Sequence, residues 1–323
     1  MKKQTQILLA LTVLLAGITM SCEEGMFGPK NDINDPDAPK GTLSMSITDA
    51  PIDAADVSAA FVTFTEIKID GQTFTGFQGP KTVNLLALQN GNSLNLGSMD
   101  VAAGTYSNLE LVISSATDEA GNAPGCYIQK TDGTKQALEL SGNGTAEISL
   151  KPKDFTISEN GSTEIIMDFD LRKAIKMNNN KAAFVSRGQL NSAVRAHNKA
   201  MTGEITGTIQ NYNDNLGGAV VYAYKQGEFN ENAEINANGN SEVKYAKAVT
   251  SAKVGANGNF TLAFLPEGNY EIHCDMPEEN GQGIGLNTLL GLESTVDLSN
   301  VGVNAGAQTN LSLTVDLDGL INL

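Results

Sequence analysis

GTLSMSITDAPIDAADVSAAFVTFTEIKID, residues 41–70, decides the fold class. Leu43, Met45 and Ile47 alternate with Ser44, Ser46 and Thr48, a period of two that puts apolar side chains on one face of a strand and hydroxyls on the other. Between Ala60 and Ile69 the phase changes, Val62 and Phe64 falling on one face and Ile67 and Ile69 on the other, which predicts a β-bulge. Leu109, Leu111 and Ile113 repeat the alternation. Asn143-Gly144 separates ALEL from AEISL, and Asn160-Gly161 separates FTIS from TEIIMDF, so each pair predicts a tight hairpin. Stretches of helical period are nearly absent, and the chain reads as all-β.

The N-terminus predicts a location. Lys2 and Lys3 precede an apolar run, Ile7 to Ile18, that is too short to cross a bilayer core of about 30 Å and reads as a signal peptide, residues 1–21. The residues before Cys22 resemble a bacterial lipobox, with Ser21 as its small residue and Thr19 departing from the branched apolar residue of that motif. The resemblance implies acylation of the Cys22 thiol, with palmitate or a similar chain, and permanent attachment of a lipoprotein to a membrane. Glu23 and Glu24 resemble the acidic signal that sends such lipoproteins to the outer face of the outer membrane, at the cell surface. Residues 22–39 are rich in Gly, Pro, Asn and Asp and read as a flexible acidic linker.

The net charge of −16 among 323 residues becomes −18 once Lys2 and Lys3 leave with the leader, which excludes nucleic acid as a partner. A chain of this length predicts two domains, 40–197 and 198–323, both β-sandwiches, with a strand around Phe184 to Val194 and a polar joint from Arg195 to Lys199. Cys126 and Cys274 fall in different halves and are expected to be buried free thiols rather than a disulfide.

Two family resemblances accompany this reading. MTGEITGTI (201–209), GGAVVYAYK (217–225), VGANGNFTLAFLPEGNYEIHC (254–274) and VGVNAGAQTNLSLTVDL (301–317) resemble the carboxypeptidase regulatory-like, transthyretin-like sandwich domains. Gly203, Ile205, Gly207, Ile209, Gly258, Phe260, Leu265, Pro266, Gly268 and Tyr270 stand on that family's landmarks, which are structural and carry no chemistry. Residues 41–70, with VAAGTYSNLELVIS (101–114) and IIMDFDLRKAI (165–175), resemble the domain-of-unknown-function family 4382 of bacterial surface lipoproteins. Gly104-Thr105-Tyr106 echoes Gly268-Asn269-Tyr270, which suggests that the two halves are related.

Enzymatic chemistry is not expected. The chain holds only two histidines, His197 in the joint and His273 on the solvent-facing side of a strand, and no nucleophile elbow, zinc helix or phosphate loop. Asp49, Asp53 and Asp56 cluster after the first strand, and Asp168 and Asp170 share a strand face. Together Asp49, Asp53, Asp168 and Asp170 form a candidate calcium site, an ion that needs roughly six to eight oxygens, although alternating aspartates more often face water. No other cofactor is expected. Tyr222 and Tyr224 share a strand face beside the long polar loop from Lys225 to Ser241 and are the candidate ligand residues, although core tyrosines have the same pattern. The absence of Trp argues against an extended stacking platform for sugars.

The expected function is a non-enzymatic, lipid-anchored surface module that binds a glycan or an envelope protein. The alternative is a pilin-like subunit assembling by strand donation, with Leu311, Leu313, Val315, Leu317, Leu320, Ile321 and Leu323 as the donor strand. Lys30 and Lys40 are the early processing sites that reading would need, and neither lies within an apolar strand.

Overall fold

The computed structural model describes residues 32–50, 56–153, 155–178, 181–213, 216, 218–235, 243–276 and 289–316. The leader, Cys22, Glu23, Glu24, Lys30, Asp53, Leu317, Leu320, Ile321 and Leu323 lie outside them.

The first sandwich is built on β1 (Lys40–Ala50), β2 (Val57–Ile69), β3 (Lys81–Asn84), β4 (Leu94–Ala102), β5 (Leu109–Ser114), β6 (Thr145–Leu150), β7 (Ser162–Asp170) and β8 (Val194–Asn198). One sheet runs β4-β1-β7-β8, with β1 antiparallel to β4 and parallel to β7. In the facing sheet β2 pairs with β3 and β5, and β5 with β6. Leu43, Met45 and Ile47 are buried as their alternation requires. The expected bulge is present: the register of β2 against β5 slips between Phe64 and Glu66, and the slip points Val62, Phe64, Ile67 and Ile69 into one core.

The second sandwich is built on β9 (Thr202–Ile209), β10 (Val220–Lys225), β11 (Thr250–Lys253), β12 (Asn259–Pro266), β13 (Gly268–Asp275), β14 (Gly291–Ser294), β15 (Val301–Val303) and β16 (Gln308–Asp316). Its sheets run β12-β9-β16-β14 and β11-β10-β13-β15, and β9 is parallel to β16. In spatial order this repeats β4-β1-β7-β8 and β3-β2-β5-β6, except that the outer strand beside the parallel pair comes after it in the first sandwich, β8, and before its second member in the second, β14. The two apolar cores are separate, residues 33–196 filling one and 205–315 the other.

The correspondence extends to single hydrogen bonds. Tyr106 Oη donates to Ala102 O at 2.6 Å, and Tyr270 Oη to Pro266 O at 2.5 Å, each reaching four residues back around a glycine corner. Where the closing strand begins, Thr42 N donates to Gly161 O and Asn160 N to Lys40 O. Glu204 N donates to Ala307 O and Gly306 N to Thr202 O in the same way. The shared crossing explains the glycines at Gly41 and Gly203, since a Cβ on either would collide with a carbonyl oxygen, of Ser158 or of Asn304. The weak sequence echo at Tyr106 and Tyr270 is therefore one point of an extensive structural repeat.

Several local expectations are corrected. Asn160-Gly161 is a turn, but Thr156–Ile157 before it pairs with Gly104–Thr105 while β7 after it pairs with β1, so the turn crosses between sheets. Likewise β6, after Asn143-Gly144, pairs with β5 and not with the preceding ALEL segment. The strand expected from Phe184 to Val194 is a helix, Arg187–Ala193, opened by a capping box between Ser186 and Gln189. The polar joint is mostly β8, hydrogen-bonded to β7, and the chain turns into β9 through Lys199–Met201. Within the expected linker, Ile33 is fully buried in the first core and its carbonyl accepts from Ala102 N. Cys126 and Cys274 are free and buried, one in each core. Burial pushes the Cys126 thiol up to about 12.

Replacing Tyr106 or Tyr270 by Phe is expected to lower the unfolding free energy by about 1 kcal/mol, because the carbonyl left behind is buried without its donor. Gly203→Ala is expected to cost more than either, and urea unfolding of the three variants checks the order.

Candidate functional site

The parallel register of β1 and β7 sets Thr48 beside Asp168 and Ala50 beside Asp170, and so brings Asp49, Asp168 and Asp170 to one end of the first sandwich. All three are buried. The cause is the second sandwich, which packs against this end. Arg172 Nη2 donates to Asp170 Oδ2 at 2.8 Å while its Nη1 donates to the carbonyl oxygen of Tyr245. Lys173 Nζ lies 3.4 Å from Asp170 Oδ2 and donates to Ala248 O at 2.7 Å. Arg195 pairs with Asp168. Asn90 adds a contact at the edge of β12, its Oδ1 accepting from Thr261 N at 3.4 Å.

The expected calcium ligands thus meet as a set of three, but cations of the protein already face them. Among the described residues no three Asp, Glu, His or Cys side chains are grouped so as to hold a metal ion. Asp49 differs from its neighbours. Its Oδ1 accepts from Leu171 N at 3.2 Å, while its Oδ2, like Asp168 Oδ1 and Ser251 Oγ, is buried without a hydrogen-bond partner. A polar cavity of about 10 Å³ lies among Asp49, Asp168 and Ser251. Burial, then the charges of Asp168 and Asp170, raise the Asp49 carboxyl well above the ordinary carboxylate range. Asp170 moves the other way: burial opposes its charge, but Arg172 and Lys173 outweigh it and hold it below that range.

Tyr222 and Tyr224 are fully buried and turned away from the second core. Tyr222 stacks on Tyr245 with ring centroids 4.2 Å apart and lies under the Arg172 guanidinium at 5.5 Å. Tyr224 Oη donates to Glu234 Oε2 at 3.1 Å and packs edge-on against Phe229. Phe229 and Glu234, from the described part of the long polar loop, thus cover Tyr224, while Tyr245 and Arg172 cover Tyr222. His273 is half-buried, stacked on Phe229 at 3.7 Å and bordering an open groove with Glu271, and burial lowers its pKa against the opposing pull of Glu271. Burial, with Arg195 next, takes His197 down to about 4.

A larger open surface lies elsewhere. A groove of about 350 Å³ runs between the starts of β9 and β16, lined by Lys199, Thr202, Glu204, Phe264, Ala307 and Gln308. Phe264 is half-buried and has φ of 53°, a left-handed conformation costly for a bulky side chain. The β9–β12 register slips between Gly203 and Ile205, which puts Phe264 in a bulge and turns its ring toward both the groove and the small polar cavity. Sequence marks Gly203 only as a fold landmark and Lys199 only as the end of the polar joint, and it marks no residue of this groove as a site. The one available signal was the second aromatic in FTLAF, where Phe260 and Phe264 sit an even number of residues apart yet only Phe260 enters the core.

Residues 40–185 match the family model described as Domain of unknown function (DUF4382). No curated protein matches the chain. Among solved structures, the Bacillus anthracis TIE protein is similar at 13% identity and a TM-score of 0.19, over 85% of this chain and 34% of that one. The chain thus spans about a third of that protein. BcpA, the major pilin subunit of Bacillus cereus, is similar at 13% identity and a TM-score of 0.20, over 86% of this chain and 70% of that one. GBS52, the minor pilin of Streptococcus agalactiae, is similar at 10% identity and a TM-score of 0.20, over 84% of this chain and 95% of that one.

The raised Asp49 carboxyl favours the folded state fully below the ordinary carboxylate value near pH 4, and that contribution is lost as pH rises toward its folded value. Asp49→Asn keeps the acceptor for Leu171 N and removes the titration. The variant is expected to melt higher than the parent at pH 7, with the gain shrinking toward pH 4. Arg172→Met leaves Asp170 buried beside Lys173 alone and is expected to lower stability by about 3 kcal/mol at neutral pH. Thermal and urea unfolding between pH 4 and 8 read both effects.

Proposed function

We propose that this chain is a non-enzymatic lipoprotein, held in the outer membrane through acylated Cys22 and facing the cell surface, that captures a glycan or an envelope protein. The observation that carries the reading is the leader itself: Lys2 and Lys3, the short apolar run, and Ser21-Cys22 followed by Glu23-Glu24. Supporting it, the side chains best suited to proton transfer are tied into packing. His273 lies under Phe229, and the buried aspartates face Arg172, Lys173 and Arg195. The second sandwich, read as a carboxypeptidase regulatory-like domain, supplies a scaffold and an open groove. Its landmarks Phe260 and Tyr270 fill core positions.

The pilin-like reading has less in its favour. Leu311, Leu313 and Val315 lie in β16, buried between β9 and β14, and so are committed within their own sandwich. Lys40 is the first residue of β1, so a cut there leaves that strand in place.

Cys22→Ser is expected to abolish incorporation of labelled palmitate and to move the protein from the envelope fraction to the soluble one. A variant that stays in the envelope and still takes up label refutes anchoring at this residue.

A further inference from the structure

The groove at Phe264 differs from its counterpart in the first sandwich in a way that identifies a ligand chemistry. Counting back from the tyrosine corners, Phe264 stands six residues before Tyr270, where the first sandwich has Asp100 six before Tyr106. Asp100 lies in unbroken pairing with Thr42, whose Oγ1 donates to it at 2.8 Å. In the second sandwich β12 carries a residue more than β9 can match at this place, and Phe264 is thrown outward in a left-handed conformation. Such a conformation on a bulky side chain costs energy, whereas the same strand pair in the first sandwich takes its irregularity further along, between Met45 and Ser46, with a glycine, Gly97, opposite Met45.

The sheet face leading away from Phe264 differs in the same sense. In the first sandwich the cross-strand side-chain bonds on β1 include two that end on carboxylates, Thr42 to Asp100 and Ser46 to Glu164 at 2.7 Å, with Ser44 to Ser98 at 3.0 Å between them. In the second they are uncharged: Thr206 Oγ1 to Asn310 Oδ1 at 2.8 Å, Thr208 Oγ1 to Asn259 Oδ1 at 2.7 Å, and Gln308 Nε2 to both Thr206 and Asn310. Amides in such pairs keep further donors and acceptors for an incoming ligand. A half-buried ring at one end of a row of amides and hydroxyls matches a molecule with an apolar ring face and a rim of hydroxyls. The volume, about 350 Å³, suits a site for one or two sugar rings. The chain's charge of −16 disfavours polyanions.

We infer that the groove at Phe264, continued along the Thr206–Asn310 row, binds an uncharged oligosaccharide, with Phe264 as the stacking platform and Gln308 and Glu204 as hydroxyl partners. This deepens the binding reading above, and it places the ligand on the open face of the second sandwich rather than at Tyr222 and Tyr224.

Isothermal titration of the full chain in detergent with uncharged gluco-, manno-, galacto- and xylo-hexaoses tests it, beside uronic-acid oligosaccharides and a peptide library. Binding of at least one uncharged hexaose is expected, weakened about tenfold by Phe264→Ala. Ala307→Arg, a substitution at an exposed position that fills the groove, is expected to abolish it without moving the melting temperature, and decides the matter if Phe264→Ala misfolds. Uncharged hexaoses that bind equally well to both variants overturn the site. No binding to any uncharged hexaose, or binding only to uronic acids or peptides, overturns the ligand class. None of these results bears on anchoring, which labelling of Cys22 decides separately.

Discussion

Arg172 is nearly fully buried, and a guanidinium withdrawn from water is costly unless its donors meet acceptors. One acceptor, Asp170, belongs to its own sandwich, while Tyr245 O belongs to the other. The charge can be satisfied only with the two sandwiches in contact at this end. The packing that results buries Asp49 and Asp168 and seals Tyr222 beneath Tyr245 and the guanidinium. It also fixes Phe264 between a closed polar cavity and an open groove. The described residues from 32 to 316 accordingly gather as one compact unit although they enclose two separate apolar cores.

Repetition makes the differences between the two sandwiches informative. Sheet order, parallel pairing of opening and closing strands, glycine crossing and tyrosine corner are common to both, so these are what closing the scaffold requires. What is not common is local: the left-handed Phe264, the uncharged side-chain row on β9 and β16, and the cover that Tyr245 forms over Tyr222 and that Phe229 and Glu234 form over Tyr224. Differences of this kind are where a scaffold acquires a role, since they cost the fold something and contribute little to closing it.

Features that depend on neighbours in sequence were legible there. The period of two in β1, the phase change in β2 and the glycine-tyrosine corners all follow from local geometry, and the structure has them. Pairing partners were not legible. Asn160-Gly161 carries the chemistry of a hairpin turn, but the partner of the strand after it is β1, more than a hundred residues away. Ser186 and Gln189 did carry a helix-start signal, obscured by apolar residues on either side that suit a strand. The candidate site was legible only in part. Alternating aspartates ordinarily face water, and the burial of Asp168 and Asp170 comes from a surface contributed by the other half of the chain. Tyr222 and Tyr224 have the right spacing to share a face, but nothing local reveals that Tyr245 and Arg172 cover the one and Phe229 and Glu234 the other.

The parallel pairing of β9 with β16 has a mechanical consequence. When the opening and closing strands of a unit lie side by side and point the same way, a pull on the two ends of that unit slides them past each other. In the second sandwich, whose first and last strands are β9 and β16, six successive residue pairs from Glu204 to Ile209 then share the load at once, instead of parting one by one as in an unzipped hairpin. Forced rupture is governed by the unfolding barrier rather than by equilibrium stability, so a sandwich pulled by its two ends resists shear to a degree that its melting temperature does not measure.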